Sequence, residues 1–137
     1  MKSADAEQEK PKRSILVVDD EEGIRDLFVS AFRQDNVRTC GSAEEAFEVL
    51  KDEKFDVMIL DIRLPGMNGC ELCMDIRKNH PHAFIIGMTG FANKFEFAQC
   101  RKAGFDAYFY KPVSMITLKQ LVARHFGDEW IAPGTGR

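Results

Sequence analysis

Short, largely apolar runs recur along the chain, separated by stretches in which apolar residues return every three or four positions. The runs predict five strands, at residues 14–18, 37–40, 56–60, 83–88 and 106–110, of which the second is the weakest. After the first run, apolar side chains fall at the spacing of a helix that packs on a core: Ile24, Leu27, Phe28, Ala31 and Phe32. The pattern therefore predicts strands that alternate with helices.

Capping residues mark several of the predicted helix ends. Ser42, followed by Glu45 three positions later, is typical of a capping box at the start of the second helix. Ser114 is a suitable N-cap for the last helix. Gly104 and Gly127 follow helical stretches at positions where a glycine often ends a helix.

Strands that are apolar along their whole length, each linked through a helix, indicate a parallel sheet with helices on both faces. We predict an α/β fold with a doubly wound, five-stranded parallel sheet in the order 2-1-3-4-5 and five helices. A chain of 137 residues has room for one such core. We assign residues 14–126 to this domain, residues 1–13 to a flexible N-terminal segment and residues 127–137 to a C-terminal tail.

Composition excludes several classes of protein. Hydrophobic residues make up 45% and charged residues 30%, as in soluble globular domains. The net charge of −3 argues against direct binding of nucleic acid, which usually requires a basic surface. The apolar runs are too short to cross a membrane, and the first residues lack the apolar core of a secretory signal. These features predict a cytoplasmic protein without a membrane partner.

Cysteines raise the question of a metal site or disulfides. Cys70 and Cys73 form a C-x-x-C pair, and His80 and His82 follow soon afterwards. A structural zinc site would need a second C-x-x-C pair or two suitably spaced histidines, and the sequence has neither. We predict reduced thiols that pack as small apolar side chains.

Polar residues follow four of the predicted strands. Asp19 and Asp20 come after the first, Asp61 after the third, Thr89 after the fourth and Lys111 after the fifth. Each residue alone is more typical of a helix cap or a turn. In an open doubly wound sheet, however, the functional cleft lies at the carboxyl ends of the strands. We therefore expect all five side chains to meet in one cleft.

Three carboxylates in one cleft require a counter-charge. Mg²⁺ prefers oxygen ligands and commonly binds one or two carboxylates together with a phosphate. A lysine supplies a second positive charge, and a threonine hydroxyl can donate a hydrogen bond to a phosphoryl oxygen. A carboxylate in such a cleft can also act as a nucleophile and form an aspartyl-phosphate.

Four segments carry a resemblance to a known family: VVDDEEGIR, DVMILDIRLPGMNG, MTG and YKP. They resemble the signature segments of bacterial response regulator receiver domains of the chemotaxis-regulator (CheY-like) type, over about residues 14–126. The resemblance implies that Asp61 is the phosphoacceptor. It also implies that Asp19 and Asp20 organise Mg²⁺, together with Asp61 and the backbone carbonyl of Arg63.

The resemblance implies roles for other residues as well. Thr89 would bind the phosphoryl oxygens, Lys111 would pair with them, and Tyr108 would be the aromatic residue that turns inward when Thr89 moves. Gly90 matches the small residue expected after the threonine. The peptide bond between Lys111 and Pro112 is expected to be cis.

The function implied is that of a signalling switch in two-component phosphorelay signal transduction. The chain would take a phosphoryl group from a sensor histidine kinase and signal to a downstream protein target. An alternative is a phosphorelay intermediate that passes the group to a histidine phosphotransfer protein. On this reading the chain is not an enzyme, beyond its own phosphorylation and dephosphorylation.

Two other classes fit the sequence less well. A Mg²⁺-dependent aspartyl phosphohydrolase typically carries a second acid two positions after the nucleophile, where this chain has Arg63. A flavin-binding carrier would need a phosphate-binding loop after the first strand. The acidic segment DDEEG stands there and would repel a phosphate that brings no metal.

Large side chains near the site suggest two further hypotheses. Arg63 and Phe91 each lie two positions after a site residue, and we expect them to limit the access of water to the phosphoryl group. Phe91, Phe95 and Phe97 surround the predicted fourth helix at 93–103. Core packing with one surface phenylalanine is the simpler interpretation; the alternative is a docking patch for a partner or for a phosphorylation-dependent homodimer.

Overall fold

A computed structural model describes residues 12–90, 98 and 101–128. The described strands are β1 (Ser14–Val18), β2 (Asn36–Cys40), β3 (Val57–Asp61), β4 (Phe84–Thr89) and β5 (Ala107–Tyr110). The helices are α1 (Glu22–Ala31), α2 (Ala43–Asp52), α3 (Gly69–Asn79) and α5 (Met115–Phe126). Ala98 and residues 101–103 are also helical, and we label them α4. The segment with Phe91, Phe95 and Phe97, most of the helix predicted at 93–103, Cys100 and residues 1–11 and 129–137 lie outside the described residues.

The five strands form one parallel sheet in the order β2-β1-β3-β4-β5, which confirms the predicted fold. The register places Val18 opposite Leu60, and Asp61 opposite Met88. The carboxyl ends of the central strands therefore lie side by side.

Each face of the sheet carries its own apolar core. Leu16, Met58 and Ile85 belong to a cluster with residues of α2 and α3, whereas Ile15, Ile59 and Ile86 belong to a cluster with residues of α1 and α5. β3 and β4 are buried at every position because both of their faces are covered.

Most of the predicted helix ends are confirmed. The Ser42 and Ser114 hydroxyls accept hydrogen bonds from backbone N–H groups in the first turns of α2 and α5. The carboxylate of Glu45, however, accepts the N–H of Gly41 at 2.7 Å instead of closing the predicted capping box on Ser42. Gly127 ends α5 in the left-handed region with φ 74°.

Three cysteines of the described residues, Cys40, Cys70 and Cys73, are buried and packed in the core, as predicted for them. Burial raises the pKa of Cys73 to about 12 and that of Cys40 to about 11. Among the described residues, no helix is long and apolar enough to span a membrane.

Candidate functional site

Asp61 stands at the carboxyl edge of the sheet because the ladder between β3 and β4 extends past it. The sequence predicted a strand that ends one residue earlier, at Leu60. Asp61 instead pairs with Met88, and the N–H of Ile62 donates to the Met88 carbonyl at 2.8 Å. The Asp61 side chain is buried, so the strand places the carboxylate at the carboxyl edge of the sheet, largely shielded from solvent.

Three carboxylates meet at this edge. Oxygen atoms of Asp19, Asp20 and Asp61 all lie within 4.8 Å of one another, Asp19 and Asp61 being buried and Asp20 exposed. Asp19 is the residue after β1, and its N–H donates to the Cys40 carbonyl at 3.0 Å. The predicted convergence of the acids is confirmed.

Lys111 supplies the positive charge that faces these acids. Its Nζ atom lies 3.0 Å from Oδ2 of Asp19 and 3.0 Å from Oδ2 of Asp61. Its backbone N–H donates to the Thr89 carbonyl at 2.8 Å, which joins the ends of β4 and β5. The bond between Lys111 and Pro112 is cis, in agreement with the expectation from the family resemblance.

The surroundings of Asp61 and Lys111 raise the pKa of both side chains. Burial, together with the charge of Asp19, raises the pKa of Asp61 above its ordinary value, against the opposing effect of Lys111. Burial by itself lowers the pKa of Lys111, but the neighbouring Asp19 and Asp61 carboxylates overcome this effect and raise the pKa to about 12. Lys111 is therefore a permanent cation at neutral pH.

The acids have the composition and placement of a site for a hard divalent cation. The Oδ2 atom of Asp19 is buried, and no described residue donates a hydrogen bond to it in suitable geometry. The ammonium group of Lys111 is its ion-pair partner, and that one cation faces both buried carboxylates. Oxygen ligands with surplus negative charge suit Mg²⁺. Asp19, Asp20 and Asp61 therefore fit the metal that the sequence predicted.

Of the other predicted site residues, Arg63 and Thr89 lie at the same edge, whereas Tyr108 lies within β5, opposite Gly87. Arg63 donates its backbone N–H to Oδ1 of Asp61 at 3.0 Å. Thr89 is the last residue of β4 and is buried. Tyr108 lies half-buried in β5, with its ring centroid 5.7 Å from that of Phe105. The roles of the Arg63 carbonyl, the Thr89 hydroxyl and the Tyr108 ring remain predictions.

Sequence reasoning missed three residues that contact the site. The Oε1 atom of Glu21 lies 3.7 Å from Lys111 Nζ. Arg25 donates from Nη1 to the carbonyl oxygen of Asp19 at 2.8 Å. Gly69 opens α3 directly against the backbone of Asp61 and Ile62. The available signals were a glycine in the loop after Asp61 and an arginine one and a half turns after the acidic pair.

The parallel sheet, with clustered acids and a lysine at its carboxyl edge, has the fold of CheY-like signalling domains. The family model for the response regulator receiver domain matches residues 15–123, and the chain belongs to this family. It is thus a receiver domain of two-component signalling.

Curated relatives of this chain include proteins of different lengths. The chain is 33% identical to response regulator protein PilR of Pseudomonas aeruginosa over 82% of its length, which is 26% of PilR. It is 28% identical to the polar-differentiation response regulator DivK of Brucella ovis, over 85% of this chain and 98% of DivK. The transcriptional regulatory protein YvrH of Bacillus subtilis is 35% identical and is matched over 48% of its length. The chain therefore spans less than half of PilR and YvrH.

Solved structures agree with this assignment. The CheY-like receiver domain protein from Methanospirillum hungatei shares 30% identity, with a TM-score of 0.80 over 85% of this chain and 94% of that one. The BeF3-activated DrrB receiver domain shares 27% identity, with a TM-score of 0.77 over 85% of this chain and 98% of that one.

Proposed function

We propose that this receiver accepts a phosphoryl group on Asp61 from the phosphohistidine of a sensor histidine kinase and then signals to a partner protein. The observation that carries the proposal is the placement of the buried Asp61 carboxylate between a lysine ammonium and two further acids. Such a cleft supplies a nucleophile together with charge neutralisation for the phosphoryl oxygens. The proposed location is the cytoplasm, and residues 14–126 are the proposed receiver unit.

The reaction follows from the surroundings of the Asp61 carboxylate. One carboxylate oxygen attacks phosphorus, so that an O–P bond forms while the P–N bond of phosphohistidine breaks and its electron pair returns to the imidazole. The Nζ atom of Lys111 lies 3.0 Å from Asp61 Oδ2 before the reaction and can pair with a phosphoryl oxygen after it. The backbone N–H of Arg63 orients the Asp61 carboxylate, because it donates a hydrogen bond to one of the two carboxylate oxygens, Oδ1. Bound Mg²⁺ would add charge neutralisation, held by Asp19, Asp20, Asp61 and the Arg63 carbonyl.

A change of surface would follow from the position of Thr89. Its carbonyl is fixed by Lys111, whereas its side chain lies at the edge where the phosphoryl group would form. Tyr108 is opposite Gly87 on the neighbouring strand, two residues before Thr89. Movement of Thr89 towards the phosphoryl group would open space for Tyr108 to turn inward. Phosphorylation would thereby bias an equilibrium between two surfaces.

Mass spectrometry of the intact protein tests the phosphoacceptor. After incubation with acetyl phosphate and Mg²⁺, the native chain should gain one phosphoryl group that maps to Asp61 and is lost on treatment with hydroxylamine. Asp61→Asn should gain none, and Asp56→Asn, which changes an aspartate at the opposite end of β3, should behave as the native chain. The proposal fails if the native chain forms no adduct or if Asp61→Asn forms one equally well.

Two outcomes would redirect the proposal without removing Asp61 from the site. Transfer of the group from Asp61 to a histidine phosphotransfer protein would identify a relay intermediate. Repeated turnover of an aryl phosphate would identify a phosphohydrolase. Sedimentation with and without phosphorylation tests the homodimer, since a monomer unchanged by phosphorylation would contradict self-association.

A further inference from the structure

Asp19 is fixed by contacts from four different parts of the chain. Its N–H donates to Cys40 O at 3.0 Å, and its Oδ1 accepts the N–H of Glu21 at 2.9 Å. Its Oδ2 faces Lys111, and its carbonyl oxygen accepts Nη1 of Arg25 at 2.8 Å. The Arg25 contact comes from the first turn of α1 and reaches back six residues to the carbonyl of Asp19.

The guanidinium of Arg25 lies in a space that Gly41 leaves open. A Cβ atom at position 41 would lie 3.3 Å from Nη1 of Arg25 and 3.8 Å from its Cζ. Gly41 does not have a positive φ, so its backbone conformation does not require glycine. Its N–H donates to Glu45 Oε1 at 2.7 Å, and the same oxygen would lie 3.7 Å from that Cβ. Gly41 therefore leaves room beside the guanidinium, and a methyl group at this position would make Arg25 shift by a few tenths of an ångström.

We infer that Arg25 is a positioning residue for the metal site, and that it orients the Asp19 carboxylate by holding the Asp19 carbonyl. The inference rests on the proposed Mg²⁺-dependent function. Partners behind metal ligands commonly set the orientation of those ligands, and their removal weakens metal binding. Arg25 differs from the usual partner in that it holds the backbone of the ligand residue and carries a positive charge.

Because Arg25 is positively charged, the direction in which its substitution changes the Mg²⁺ affinity tests the inference. A cation beside the acids opposes Mg²⁺ electrostatically, so simple removal of the charge should tighten Mg²⁺ binding. Loss of positioning should weaken it. Arg25→Gln therefore separates the two effects, since they move the dissociation constant in opposite directions.

Isothermal titration with Mg²⁺ at fixed ionic strength is the test. We expect Arg25→Gln to weaken binding about tenfold, and Gly41→Ala, which keeps the charge but crowds the guanidinium, to weaken it severalfold. Arg25→Lys should recover part of the affinity because it retains a donor. Exposed Arg33→Gln is the matched control for loss of one charge and should bind as the native chain does or slightly more tightly. Melting curves recorded in the presence of a chelator identify the variants that are folded. If Arg25→Gln is unfolded, the Mg²⁺ affinities of Gly41→Ala and Arg25→Lys test the inference instead.

Binding by Arg25→Gln that equals or exceeds native binding would overturn the inference and leave the proposed function intact. Native affinity in Gly41→Ala together with native affinity in Arg25→Lys would do the same if Arg25→Gln is unfolded. Failure of the native chain to bind Mg²⁺ would overturn both, and the absence of a phosphoryl adduct on Asp61 would overturn the proposed function separately.

Discussion

The Nζ atom of Lys111 donates to Oδ2 of Asp61 at 3.0 Å, although 50 positions separate the two residues in the chain. The contact exists because β3 and β5 flank β4 and deliver both residues to one edge. Lys111 also pairs with Asp19 at the same distance, so its ammonium group faces two buried acids and leaves a surplus of negative charge among them.

Lys111→Met should slow phosphorylation of Asp61 by acetyl phosphate by roughly 10²-fold, because one preorganised cation for the phosphoryl oxygens is lost. The rate of adduct formation, measured by mass spectrometry at saturating Mg²⁺, checks this. Lys51→Met removes an exposed lysine that pairs only with Glu48 among the described residues, and the rate should not change. A native rate in Lys111→Met would remove Lys111 from the proposed reaction.

Gly69→Ala should destabilise the protein by about 2 kcal/mol or more, because it inserts a methyl group into a closed backbone contact. The added Cβ would lie 2.7 Å from Ile62 Cα and would press directly on the Asp61 carbonyl. Gly23→Ala is the matched control, since nothing lies within 4 Å of its Cβ position. That substitution should stabilise α1 by about 0.5 kcal/mol. Urea unfolding of both variants measures the difference, and equal midpoints would contradict the close packing of α3 on the site.

Arg77→Ala should lower the free energy of unfolding by roughly 2–4 kcal/mol, because several carbonyl groups lose their donor together. Arg77 donates to Ala83 O at 2.7 Å, to Gly104 O at 2.6 Å and to Asp106 Oδ2 at 2.9 Å. It thus ties the end of α3 to the segments that enter β4 and β5. Lys78→Ala, on the next residue, removes an exposed pair with Asp75, its one ion pair among the described residues, and should change stability by less than about 0.5 kcal/mol. Equal effects in urea would show that Arg77 acts only as a surface charge.

Stability should fall as the pH rises above 9, and Cys73 should account for part of the fall. Burial raises the pKa of its thiol from 9.0 to about 12, so between these values the unfolded chain loses a proton that the folded chain keeps. The stabilising difference is complete below pH 9 and is lost towards pH 12. A single such group contributes a slope of up to about 1.4 kcal/mol per pH unit. Cys73→Ala should show a shallower decline in urea unfolding between pH 9 and 11, whatever its stability at pH 7; an unchanged slope would contradict the burial of the thiol.

The fold and the main acids were predictable because their signals are local. Completely apolar runs identified the central strands, and the rule that parallel strands end at one edge placed Asp19, Asp61 and Lys111 together. The error at the end of β3 has a physical cause. In the sequence, a carboxylate after an apolar run indicates that the strand has ended. In the structure, Asp61 still pairs with Met88 and is the last residue of β3.

The sequence by itself determined the alternation of elements, the parallel sheet and the set of residues at its carboxyl edge, because periodicity and strand direction depend on neighbouring residues. Only the tertiary structure decided that Arg25 holds the Asp19 carbonyl beside Gly41, that Gly69 closes on Asp61, and that Glu45 bonds Gly41 instead of its own cap. These contacts depend on the detailed packing of side chains and backbone around the site. The same spacing along the chain is compatible with other contacts, such as the capping box predicted for Glu45, so the spacing alone does not specify them.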